Sequence, residues 1–291
     1  MKNLNKISAL MVVTLFYVIA IGLAILLVAN FSIENELTRV LIADFIATVI
    51  IFIFSYSTKN SSVYDPYWSV IPPIIVVYLI WQHPEGNFIR QVIVFVLVTF
   101  WSIRLTTNWA RGWSGFKQQD WRYTKLNEDT GKFYWLVSFS GIHMFPTLIV
   151  FLGCLPLFYI IKNPATLHSL EYIAMAITFL GVVLEWVADE QLHYFKKSAP
   201  KGQYMDKGLW SISRHPNYLG EITFWFGLFL FVPAAFSEMN TMLYGSTGFI
   251  AMLLLFRFIS IPMMDKRNLS KRKGYDEYIK RVPILLPLKI K

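Results

Sequence analysis

The chain contains a single cysteine, Cys154, so no internal disulfide can form and the thiol reads as a small packing residue. Its histidines, His83, His143, His168, His193 and His215, lack the paired short spacings from which metal sites are built. No metal is expected, and the pattern argues against a histidine-rich di-iron desaturase or hydroxylase. There is no Walker loop and no GxGxxG following a strand, so a nucleotide would not be held by a P-loop or a Rossmann unit. Low-complexity stretches, repeats of fixed period and a soluble domain at either end are also missing. Charge is sparse, at 15% of residues.

What fills the chain is apolar. Hydrophobic residues make up 55% and aromatic residues 17%, and the mean hydropathy is +0.48, far from an average soluble domain. Apolar spans fall near 7–30, 39–56, 67–81, 89–110, 133–161, 170–195, 216–236 and 243–264. Most reach the roughly 20 residues that cross a bilayer. The expected fold is all-α, a polytopic transmembrane bundle of about eight helices. The third span, around Pro72–Pro73, is short and reads as broken or re-entrant. The first follows Lys2 and Lys6 but has a long apolar core and no clear cleavage site, which suits an anchor better than a removed signal peptide.

Basic residues test this arrangement. With the N-terminus inside, all but five of the 27 lysines and arginines fall in inside segments. Arg39, Arg90 and Lys162 lie outside, and Arg104 and Arg257 lie within spans. The positive-inside rule therefore predicts both termini in the cytoplasm. The net charge of +9 follows from this bias and from contact with anionic membrane lipids, without nucleic acid as a partner. Lysine-, asparagine- and isoleucine-rich usage points to a bacterial inner membrane.

The segment Gly208–Glu221, GLWSISRHPNYLGE, carries the clearest chemistry. Pro216 suits the first position of a helix, where its missing N–H costs nothing. The free N–H groups there, beside Arg214 and His215, make an anion site. Asn217 and Glu221 then share one helical face, and an acid at that depth is expensive unless it is used. Glu185, Asp189 and His193 also share a face, as do Arg104, Asn108 and Arg111. Arg257 poses the same question in the last span, with Glu221 and Glu185 as its expected partners. The segment 118–123, QQDWRY, reads equally well as a surface turn or as part of a site. The tail RKGYDEYIKRVPILLP has apolar residues at helical spacing, suited to lie on the membrane or to cap the bundle.

These residues resemble the superfamily that joins steroid 5α-reductases, DUF1295 membrane proteins and isoprenylcysteine carboxyl methyltransferases. The likeness is greatest to the DUF1295 branch, from about residue 60 onward. Its marks are the DxxW of Asp65–Trp68, the RLxxxW of Arg104–Trp109, DWRY at 120–123, DxQ at 189–191, the RHPNYxGE string and the tail from Tyr278 to Pro287. The resemblance implies N-terminal transmembrane helices over 1–60 and a reductase-like catalytic domain over 61–291. The first helix would be an addition to a seven-helix core. It also implies an NADPH-dependent oxidoreductase that reduces a carbon–carbon double bond in a lipid-like enone drawn from the bilayer. Cofactor contacts carry over to Asp189, Asn217, Glu221 and Arg257, and the anion-site argument adds Arg214, His215 and Tyr218. Asp65 and Arg104 are the expected catalytic residues. The acid-plus-tyrosine pair that grips a steroid ketone aligns with Asp65 and Trp101, and tryptophan cannot donate that proton. Two alternatives stand: an S-adenosylmethionine-dependent methyltransferase, whose RHPNY segment would hold the methionine carboxylate, and a non-catalytic lipid-binding or transport protein.

Overall fold

A computed structural model describes residues 1–200 and 202–286. Lys201 and the end of the expected tail motif, Pro287, lie outside the described residues. Among these residues there is no strand, and eight helical segments are long and apolar enough to cross a membrane. The protein is a multi-pass helical membrane protein. Its residues group into two compact units, Met1–His83 with Val98–Cys154, and Pro84–Leu97 with Leu155–Lys291. Residues 60 and 61 lie together in the first unit.

The first unit contains α1 (Lys6–Ala29), α2 (Glu36–Thr58), α3 (Tyr67–Gln82), the second half of α4 (Phe88–Gly112), α5 (Trp121–Thr130), α6 (Tyr134–Val137) and α7 (Phe145–Gly153). Asn5 and Asn35 cap α1 and α2 by accepting from the N–H groups of Ser8 and Thr38, which satisfies otherwise orphaned donors. The expected break in the third span does not occur. Pro72 and Pro73 lie inside a continuous helix; in a membrane helix, neighbouring groups can offset the backbone bonds that proline removes.

Hydroxyl groups knit this unit together. Ser61 Oγ bonds to Tyr134 Oη at 2.7 Å and Ser138 Oγ at 2.9 Å. Tyr64 Oη and Thr48 Oγ1 both meet Thr147 Oγ1. A π-helical segment, Ser138–Met144, precedes α7. Its widened turn is stitched by His143, whose ring nitrogens contact the Ser138 carbonyl and Ser55 Oγ, each at 2.9 Å.

The second unit contains the start of α4, α8 (Leu155–Ile160), α9 (Ser169–Ser198), α10 (Pro216–Ala235), α11 (Met239–Leu255), α12 (Ile261–Lys271) and α13 (Tyr275–Arg281). Helices α9 and α10 run antiparallel in very close contact. A Cβ at Gly220 would lie 2.6 Å from Glu185 Cβ, and one at Gly181 would lie 2.5 Å from the Phe224 nitrogen. Small residues at such crossings let backbones approach, because dispersion rather than hydrophobic exclusion drives helix association in lipid. At the start of α9, His168 and Glu171 form a reciprocal capping box. Glu171 also accepts from Arg90 at 2.6 and 3.0 Å, with both side chains buried. Arg90, expected in an outside segment, thus ties α4 to α9.

Removing one member of a buried ion pair leaves an uncompensated charge and costs about 3–5 kcal/mol. Glu171→Ala is therefore expected to lower thermal stability sharply, measured by melting in detergent. The double change Arg90→Met with Glu171→Leu should recover much of that loss.

Candidate active site in the second unit

The C-terminal helices build a polar cavity from the RHPNY segment outward. The chain leaves α9, and at Gly208 it adopts φ +59°, a left-handed conformation that favours glycine. A Cβ there would also meet the Gln191 side chain at 2.7 Å. Gln191 Oε1 accepts from the Leu209 N–H at 3.0 Å. Trp210 Nε1 donates to the Ala188 carbonyl at 3.0 Å. These two bonds fix the turn against α9, and α10 then starts at Pro216 as its residue type demands.

The tail locks the turn from the other side. Tyr278 Oη donates to the Trp210 carbonyl at 2.5 Å, and the Arg214 N–H donates to the Pro283 carbonyl at 2.9 Å. Tyr275, Tyr278 and Val282 form a small buried cluster with Tyr204 and Ile279. Of the two expectations for the tail, capping is the one α13 fulfils.

Asp265 on α12 is the centre of the arrangement. Its carboxylate meets Arg214 Nη1 at 3.0 Å and His215 Nε2 at 3.0 Å, and it accepts from Tyr275 Oη at 2.9 Å. The His215 ring stacks on Tyr218 at 5.3 Å, and Tyr218 packs on Phe256 at 4.8 Å. Burial raises the Tyr275 phenol well above its ordinary value, and the nearby Asp265 charge adds to the effect. Burial lowers the Arg272 guanidinium.

Next to this cluster lies a cavity of about 260 Å³. Lys196, Arg214, Arg267, Lys271 and Arg272 line it, and no carboxylate among the described residues does. Met264, Arg267, Asn268 and Lys271 come from one stripe of α12, at the i, i+3, i+4, i+7 spacing of a helix face. Such a surface, with the positive end of the α10 dipole beside it, attracts anions.

Of the residues expected from sequence, Arg214, His215, Asn217 and Tyr218 line this cavity. Glu221 is buried and accepts from Trp225 Nε1 at 2.8 Å on its own helix. Asp189 is half-buried and does not line the cavity. Arg257 is exposed, with its guanidinium 5.7 Å from the Phe258 ring. Asp265 and the α12 cations were not anticipated. The stripe on α12 was the available signal, masked by the general basicity of the tail.

Asp65 and Arg104 belong to the first unit. Arg104 is buried. Asp65 is held at the start of α3 by docking of two loops: the Asn60 amide donates to the Phe116 and Gln118 carbonyls, and the Asp120 N–H donates to Ser62 Oγ. The result is a direct hydrogen bond from the Tyr123 phenol to Asp65 Oδ1. The expected partner, Trp101, is fully buried and packs near Trp68 at 6.2 Å. DWRY is thus more than a surface turn, since its Tyr123 bonds to the Asp65 carboxylate.

The family model described as "Protein of unknown function (DUF1295)" matches residues 51–282. The chain belongs to the DUF1295 family. The match takes in Asp65, Tyr123 and the whole cation-lined cavity, and leaves out α1 and the first part of α2. A relative by sequence, an uncharacterized protein of Schizosaccharomyces pombe, is 27% identical over 274 residues, covering 85% of this chain and 78% of its own length. No solved structure matches the chain significantly.

Hydrogen bonds to charged groups are worth about 1.5–3 kcal/mol each. Asp265→Ala breaks three such contacts and should lower the thermal midpoint more than Asp265→Asn, which keeps an oxygen to accept from Tyr275. A second outcome concerns alkaline pH. The unfolded phenol loses its proton near pH 10, whereas the buried Tyr275 keeps it. The folded state then binds more protons than the unfolded one, so stability falls as pH rises past about 10. Tyr275→Phe should flatten that slope in melting curves taken between pH 9 and 11.

Proposed function

We propose that this DUF1295 protein is an NADPH-dependent oxidoreductase that reduces a carbon–carbon double bond conjugated to a carbonyl in a lipid-like molecule. The observation that carries the reading is the cavity beside α10, whose wall, among the described residues, has five cationic side chains and no carboxylate. NADPH brings a diphosphate and a ribose phosphate, each of which matches lysine and arginine donors. S-adenosylmethionine brings a sulfonium and an ammonium against one carboxylate, and a cationic wall repels both. A volume of about 260 Å³ suits part of a dinucleotide, below the roughly 300–1,000 Å³ of whole small-molecule sites.

In this reading Arg267, Lys271 and Arg272 hold phosphate oxygens. Arg214 serves the anion while Asp265 fixes its orientation. Tyr218, stacked on His215, lines the cavity and offers an aromatic surface to a ring. Bound NADPH would supply the hydride. In the reacting state a protonated Asp65 would donate to Tyr123 Oη, which leaves the single phenol proton free to bond the substrate carbonyl oxygen and draw charge onto it. Polarisation of the carbonyl leaves the far alkene carbon electron-poor, and a proton at the near carbon completes the reduction.

The cations at this end of the helices support a cytoplasmic cavity under the positive-inside rule, with both termini on that side and a lipid-like substrate arriving from the bilayer. A bacterial inner membrane is the host this reading adopts.

The deciding experiment compares the thermal midpoint of the purified protein with NADPH, NADH and S-adenosylmethionine, because a ligand specific to the folded state raises it. NADPH is expected to give the largest rise, and Arg267→Gln with Arg272→Gln should weaken it by about 10-fold or more. Tyr123→Phe should leave the NADPH shift intact and slow enone reduction by about 10²–10⁴-fold. A shift with S-adenosylmethionine alone moves the assignment to methyl transfer. No shift with any nucleotide favours a lipid-binding protein.

A further inference from the structure

The first unit contains a second cavity, of about 670 Å³, lined by α1, α2 and α3 and open at its edge, where Ile25 and Trp81 are exposed. Its origin is legible in the side chains. Ala24 and Ala29 of α1 face Ala43 and Ala47 of α2, and four alanines leave space where larger residues would close the gap. The volume falls within the roughly 300–1,000 Å³ of small-molecule sites. The remaining wall is almost wholly aliphatic and aromatic, with Ile71 and Ile75 from α3, so its contents must be apolar.

Four polar side chains interrupt that wall. Two stand at helix ends: Arg39 near the start of α2, where it donates to the Ile33 carbonyl, and Gln82 as the last residue of α3. The other two are Asp44 and Tyr78. Asp44 lines the cavity and is 5% exposed, with its Oδ1 accepting from Tyr67 Oη at 2.8 Å. It sits two turns into α2, about 12 Å along the axis from Glu36. Tyr78 lines the cavity from α3, and its hydroxyl is buried with no hydrogen-bond partner among the described residues. A carboxyl at membrane depth is costly, and so is an unsatisfied hydroxyl. Neither takes part in the reaction described above.

We propose that this cavity binds a lipid alcohol, with the apolar body between α1, α2 and α3 and the hydroxyl hydrogen-bonded at Asp44. A hydroxyl both donates and accepts. It can donate to Asp44 and is equally able to accept from a phenol such as Tyr78. A ketone could serve only the phenol, and an ammonium only the carboxylate. Pairing an ammonium with Asp44 would also place two charges in a low-dielectric wall, where one hydrogen bond from Tyr67 does little to offset desolvation. The site depends on α1 and the N-terminal part of α2, both outside the residues matched by the family model. It is therefore a property of this chain's N-terminal helices, and it stands apart from the reductase reading.

The test is equilibrium binding of tritiated geranylgeraniol, an isoprenoid alcohol, and of its methyl ether to the full-length protein in detergent without nucleotide. The alcohol should bind saturably, and the ether, which cannot donate to Asp44, about 10-fold more weakly. Asp44→Leu should erase that difference while retaining weak binding of both. Ala43→Trp should fill the space and abolish binding of both, with Ile25→Trp as a second filling variant should the first fail to fold. Equal binding of alcohol and ether by the unaltered protein overturns the proposal. So does undiminished alcohol binding by a folded filling variant. Nucleotide binding is measured separately, so each proposal can fail alone.

Discussion

One carboxylate governs the second unit. Asp265 lets a buried arginine and a buried histidine stand side by side at the start of α10, where the helix dipole already favours negative charge. Without it, the Arg214 guanidinium would face the positive helix end with no counter-charge in a setting of low dielectric. The same oxygen that receives His215 also receives the Tyr275 phenol, so the tail is drawn onto the RHPNY turn by the group that balances it. Order in the tail and the geometry of the RHPNY turn are one arrangement.

The close crossing of α9 and α10 supplies the platform. Gly181, Gly220 and Gly227 bring two backbones together so tightly that no side chain fits at these positions. A crossing of that kind resists sliding, because any shift in register drives a Cβ into backbone. The turn between the helices is then pinned by Gln191 and Trp210 at one end and by the tail at the other. The first unit solves its packing differently, with hydroxyl pairs and a histidine-stitched π segment. Buried polar groups satisfied in this way specify one arrangement among many of similar apolar packing.

Much of the fold was legible along the chain. Membrane spans announce themselves because every backbone polar group in lipid must bond internally, which forces long apolar helices. All eight expected spans have helical counterparts. The pair Pro72–Pro73 misled, since a local rule about proline was overridden by tertiary surroundings. Arg90 misled as well: by position it was a loop cation, whereas it is a buried partner of Glu171 across 81 residues. Half of the candidate site was readable from RHPNY alone, because capping and helix-dipole effects are local. Asp265 and Tyr123 were not, as each acquires its role from a residue about 50 or more positions away.

The sequence by itself determined that this protein is a helical membrane protein, where its spans lie, and that the RHPNY turn opens α10. Those features depend on hydrophobicity and on interactions within a few residues. Only the tertiary structure decided which charges neutralise each other, which tyrosine meets Asp65, and where alanines leave room between helices. Pairing and empty space arise from side chains far apart in the chain, and nothing local encodes the distance between them.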